Sequence, residues 1–117
     1  MELDTALRGL SALAHEGRLN VFRLLVKAGP DGLAAGDVAR RLDIAANTMS
    51  AQLLVLANAG LIQARRDGRS IIYSANFEKM GALLLFLTDD CCNGRPEVCG
   101  PLAATVNNCC PPKKRRA

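Results

Sequence analysis

The sequence predicts a mainly α-helical domain carrying one β-hairpin, followed by a tail of different composition. Three observations carry this. Apolar residues recur at helical spacing through most of the first 90 residues. The period changes once, between residues 61 and 75, around the pair Asp67 and Gly68. All five cysteines fall after residue 90. At 117 residues the chain has room for one domain, residues 1–90, and an appendage, residues 91–117. Half of the residues are hydrophobic but only 3% are aromatic, so Leu, Ile, Val, Ala and Met must build the core.

Leu3, Leu7, Leu10 and Ala14 repeat at i, i+4, i+7 and i+11, a narrow stripe on a first helix. Such a stripe suits helix-on-helix packing, including packing across a dimer. Residues 15–28 read as a second helix with Leu19, Phe22, Leu25 and Val26 inward, and Gly29, Pro30, Asp31 and Gly32 stop it. Residues 33–42 give a short third helix with Val38, Ala39 and Leu42 facing in. After a tight connection over 43–45, a fourth helix runs from Ala46 to Asn58 with Met49, Leu53 and Leu56 on its buried stripe, and Gly60 caps it. Residues 61–66 and 69–75 are strand candidates around Asp67 and Gly68, the pair a two-residue hairpin turn prefers. Residues 77–89 return to helix. Met80, Leu83, Leu84 and Leu87 form one face and Leu85 and Phe86 widen it, more apolar surface than a small monomer buries, which points to a partner chain. Periodicity then ends in cysteines, glycines, prolines and paired asparagines, the composition of a loop or flexible tail.

Charge is uneven. Residues 1–90 carry 10 Lys/Arg against 10 Asp/Glu, so Arg95, Lys113, Lys114, Arg115 and Arg116 against Glu97 supply the whole net +4. A basic tail on a neutral body is compatible with a polyanionic partner. Glu2 and Asp4 stand where a signal peptide would be basic, and the longest strongly apolar run, 81–87, is too short to cross a bilayer. The expectation is a cytoplasmic protein with reduced thiols and no membrane association. There, an odd number of cysteines clustered at one end favours metal or redox chemistry over a disulfide framework.

Helix, short turn, helix and then a hairpin is the order of a winged helix-turn-helix, whose second helix of the pair enters the major groove of double-stranded DNA. Asn47, Thr48, Ser50 and Gln52 are short polar groups on that helix, able to reach base edges. Arg65, Arg66 and Arg69 surround the hairpin tip, where a wing meets phosphates or the minor groove.

The runs LSALAHEGRLNVFRLL and DIAANTMSAQLLVLANAGLIQARRDGRSIIYSA resemble the ArsR/SmtB family of metal-responsive repressors. That family shows an ALA-H-x-x-R-L start, a recognition helix ending in L-x-x-L-x-x-A-G-L, and a hairpin with R-x-G-R. The resemblance covers about residues 3–90. It implies a homodimer joined by its first and last helices, repression at a pseudo-palindromic operator, and release by an inducer. Where the family often has a basic or imidazole residue this chain has Ala51, Gln52 and Leu54, so the wing arginines carry more of the phosphate contact.

The resemblance also narrows the inducer. Arsenic sensors of this family with Cys-x-Cys in the third helix need thiols where residues 33–38 have none, and sensors of zinc, cobalt or nickel use His and carboxylates on the last helix. The only histidine here, His15, begins a helix and reads as a cap. What remains is Cys91, Cys92 and Cys99, three thiols within nine residues, with Gly94, Pro96 and Gly100 letting the chain fold back. Trivalent arsenic takes three thiolates in a pyramid, and the spacing is similar to that of arsenite-responsive members with a site just past the last helix. As(III), and Sb(III) with it, is therefore the expected inducer. Cys109 and Cys110 are read as accessory, as ligands for a second arsenic, or as ligands completing a four-thiolate cadmium, lead or zinc site. The alternative on the same fold is a thiol redox repressor. An enzyme is not expected: Cys91, Cys92 and Cys99 follow a helix C-terminus, whose dipole disfavours thiolate.

Overall fold

The computed structural model describes residues 1–88. The order is α1 (Leu3–Leu13), α2 (Glu16–Ala28), β1 (Leu33–Ala34), α3 (Ala35–Leu42), α4 (Ala46–Asn58), β2 (Ile62–Asp67), β3 (Ser70–Ala75) and α5 (Phe77–Thr88). One compact unit spans Met1–Leu84, and residues 85–88 fall outside it. The expected change of character after residue 90 lies outside the described residues.

The core is aliphatic, as the composition requires. Val21, Phe22 and Leu25 of α2 meet Val38 of α3 and Met49, Leu53 and Leu56 of α4, with Leu61, Ile62 and Ala75 from the sheet. Fully burying one such side chain contributes roughly 1.5–3 kcal/mol, so three helices and a sheet hold each other with few large residues. Val21 is completely buried, whereas Leu19, expected inward, is exposed. The inward face of α2 is rotated from the predicted one.

Helix α1 turns its small residues inward. Ala6, Gly9 and Ala12 face the core, while Leu3 and Leu7 are 64% and 52% exposed. Small residues allow close approach: a Cβ added at Gly9 would lie 3.6 Å from Leu83 of α5 and 3.7 Å from Leu61. The leucine stripe that predicts helix packing is therefore left outside this chain's own core.

The predicted third helix starts late. Leu33 and Ala34 instead form a short strand pairing with Tyr73 and Ile72 of β3, giving an antiparallel sheet of order β1-β3-β2. Gly32 makes this possible. Its φ is +71°, and a Cβ there would lie 2.3 Å from the Tyr73 carbonyl oxygen, so only glycine lets the chain enter the sheet. Between α3 and α4, Asp43 takes a left-handed conformation (φ 55°) and the Ile44 N–H donates to the Ala39 carbonyl at 3.0 Å, which closes α3 and leaves three residues to turn into α4.

The hairpin turn is offset by one residue from the predicted pair. Asp67 pairs with Ser70, so the two turn residues are Gly68 and Arg69, with Gly68 at φ +65° as the first residue of a type II′ turn requires. The described part is mostly helical with a small antiparallel wing: a winged helix-turn-helix.

Candidate nucleic-acid interface

The recognition helix α4 has two faces. Met49, Gln52, Leu53 and Leu56 are buried. Asn47, Thr48, Ser50, Ala51, Leu54 and Val55 are exposed. Asn47, Thr48 and Ser50 thus lie on the solvent side of the first turns, where the fold presents this helix to a groove. The Asn47 Oδ1 accepts the Thr48 N–H at 2.8 Å, and its amide NH2 remains available. No acidic residue lies in the first turn of α4, so nothing there repels phosphate.

Gln52 is a correction. Its polarity and place on the helix predict an exposed, base-reading side chain, but it is 9% exposed. It turns toward the start of α2: a Cβ added at Gly17 would sit 2.2 Å from Gln52 Nε2. Its Oε1 is buried without a hydrogen-bond partner among the described residues. The helical period alone cannot separate a polar residue on the groove side from one wedged against a neighbouring helix, because the difference depends on where the start of α2 lies.

His15 stands where the sequence places it, as the N-cap of α2. Its Nδ1 accepts the N–H groups of Gly17 at 3.1 Å and Arg18 at 3.4 Å. Arg18 carries a function the sequence leaves unassigned. Its Nε donates to the Ala12 carbonyl at 2.6 Å and its Nη2 to the Ser11 carbonyl at 3.4 Å, satisfying the open end of α1. Asn76 was also missed, although an Asn immediately before an apolar run is a helix-start signal. Its Oδ1 accepts the Lys79 N–H at 3.1 Å, and its Nδ2 donates to the Gly60 carbonyl at 3.1 Å, joining the start of α5 to the end of α4.

In the wing, Arg65 faces Ile72 across the ladder and Arg66 faces Ile71, so the two arginines project from opposite faces of the ribbon. The Arg65 Nη2 donates to the Asp31 carbonyl at 3.3 Å, tying the wing to the loop before β1. Arg66 and the turn residue Arg69 are exposed and make no hydrogen bond or ion pair within the described residues. They are cations held at a tip by a rigid ladder. Arg40, on α3, pairs instead with Asp37.

Among the described residues no group of three His, Cys, Asp or Glu is placed to hold a metal ion, and no helix is long and apolar enough to cross a membrane. Cys91, Cys92, Cys99, Cys109 and Cys110 lie outside the described residues.

Residues 13–63 match the family model for a helix-turn-helix domain. The chain is 31% identical over 83 residues to the HTH-type transcriptional regulator YgaV of Escherichia coli, covering 71% of this chain and 82% of that protein. It is 33% identical over 75 residues to the biofilm growth-associated repressor of Agrobacterium fabrum, covering 64% of this chain and 62% of that one. Among solved structures it is similar to the homodimeric winged helix-turn-helix DNA-binding domain of Mb0332 from Mycobacterium bovis, described as a possible ArsR-family transcriptional regulator. That likeness has a TM-score of 0.61 at 31% identity and covers 75% of this chain and 82% of the other.

Proposed function

The chain belongs to the ArsR-like family of winged helix-turn-helix transcriptional regulators, and on that premise we propose that it is a homodimeric repressor released from operator DNA by trivalent arsenic or antimony. The observation that carries the inducer is chemical: Cys91, Cys92 and Cys99 supply three thiols within nine residues, the donor set a trivalent pnictogen takes. The DNA reading rests on the exposed Asn47, Thr48 and Ser50 of α4 and on Arg66 and Arg69 of the wing. Repression agrees with the name of the Agrobacterium relative, and a homodimer with the Mycobacterium structure. Leu3 and Leu7 on α1, and Leu84, Leu85 and Leu87 on α5, are exposed apolar surface of the kind a second copy covers.

The ligand releases DNA only by as much as it prefers the non-binding state, typically about 1–3 kcal/mol of coupling. The deciding experiment is a DNA-release titration with arsenite, antimonite, cadmium, lead and zinc under reducing conditions. Arsenite and antimonite are expected to release the operator. Cys→Ser at 91, 92 or 99 should leave DNA binding intact and abolish that release, while Cys109→Ser and Cys110→Ser matter less. Release by peroxide alone, reversed by a dithiol, would assign a redox sensor instead.

A further inference from the structure

A cleft of about 240 Å³ lies between the end of α1, the start of α2 and the last turn of α4, lined by Arg8, Ser11, Ala12, Arg18, Val55, Asn58 and Ala59. None of its lining residues is among those assigned to DNA reading. Two of its lining residues are cations and none is acidic. Arg18 spends two of its five donors on the Ser11 and Ala12 carbonyls, which fixes its guanidinium and leaves three donors. The Arg8, Ser11 and Asn58 side chains make no hydrogen bond or ion pair within the described residues. Ala12, Val55 and Ala59 give the cleft an apolar floor. Polar groups around an apolar floor suit a small amphipathic molecule, and this open cleft lies below the volume that drug-sized ligands need.

We propose that this cleft binds a small organic carboxylate, its charge held by Arg8 and Arg18 and its apolar body laid on Ala12, Val55 and Ala59. A guanidinium offers a carboxylate two parallel donors, and Arg18 is already oriented by its bonds to α1. At 100° per residue, Arg8 points away from the stripe of Leu3, Leu7 and Leu10, whereas Ser11 borders it, so the cleft lies beside the surface that a second copy would cover. Val55 and Asn58 belong to α4 and Ala59 caps it, so the ligand touches the helix that reads DNA.

The test uses the full-length protein labelled with ¹⁵N, titrated separately with benzoate, its neutral counterpart benzamide, and inorganic phosphate. Benzoate is expected to give saturable shifts at the amides of Ser11, Asn58 and Ala59. Benzamide, lacking the charge, and phosphate, lacking the apolar body, should bind at least about tenfold more weakly. Arg8→Gln, an exposed change that leaves the fold intact by its dispersed spectrum, should weaken benzoate by about tenfold or more. No saturable shift at these amides would overturn the proposal. So would benzamide or phosphate binding as well as benzoate, or Arg8→Gln binding it like the parent protein.

Discussion

Gln52 and Gly17 meet so closely that each constrains the other. The 2.2 Å between a Cβ at Gly17 and Gln52 Nε2 cannot be accommodated without moving the buried amide. Gly17→Ala should therefore cost about 1–3 kcal/mol in urea denaturation despite alanine's better helix propensity. In a Gln52→Ala background the same change should be neutral or stabilising, a coupling on the order of 1–3 kcal/mol. An equal cost in both backgrounds would show that the contact does not hold the two helices. At the DNA, Asn47→Ala should relax base preference locally, losing about 1–3 kcal/mol of discrimination. Gln52→Ala should leave the pattern of preferences unchanged, as a binding-site selection with each variant would show. Arg66→Ala and Arg69→Ala should each lower the slope of log affinity against log salt by about 1. Arg65, already engaged by the Asp31 carbonyl, should give the smaller change. His15 was legible because a helix-start residue with a lone acceptor answers a local need. Gln52 was not, because its burial is decided by a helix 35 residues earlier in the chain.

The elements show the same division between local and distant causes. Helix α4 runs over the predicted residues, since its apolar spacing is long and its ends are marked by Asp43 and Gly60. Two residues carry no period, so Leu33 and Ala34 look like the first turn of a helix in the sequence, and only pairing with β3 makes them a strand. The stripe on α1 is legible as a packing surface, and its exposure leaves Leu3 and Leu7 free for the dimer contact that the spacing suggests. Asn76 joins two elements and gives a test of that joint. Asn76→Asp keeps an acceptor for the Lys79 N–H and loses the donor to the Gly60 carbonyl, so it should cost about 1 kcal/mol. Asn76→Ala loses the cap as well and should cost about 2–3 kcal/mol. Urea midpoints at constant m-value would measure both. Equal losses would mean that the cap on the Lys79 N–H contributes nothing, and no loss in Asn76→Asp would mean the same of the bond to Gly60.

For the whole molecule, the decisive quantity is how many copies act together on one operator. The compact unit Met1–Leu84 satisfies its core with small residues on α1, so Leu3 and Leu7 are spare apolar surface that the monomer gains nothing by carrying. A symmetric dimer over that stripe would set two recognition helices about one turn of DNA apart, each on its own half-site. Joining two modules turns the second binding event into an intramolecular one, which raises affinity about 10²–10⁴-fold with no new contact to DNA. Replacing Leu3 and Leu7 together by Glu places charges where the stripe would otherwise be desolvated and touches nothing in the core. The variant should keep its helical circular dichroism, sediment as a monomer at micromolar concentration, and lose about 10²–10⁴-fold in affinity for a two-half-site operator. Its affinity for an isolated half-site should hardly change, because Asn47, Thr48, Ser50 and the wing lie elsewhere on the unit. A variant that still sediments as a dimer would remove α1 from the interface and leave the exposed leucines of α5 as the surface to alter next.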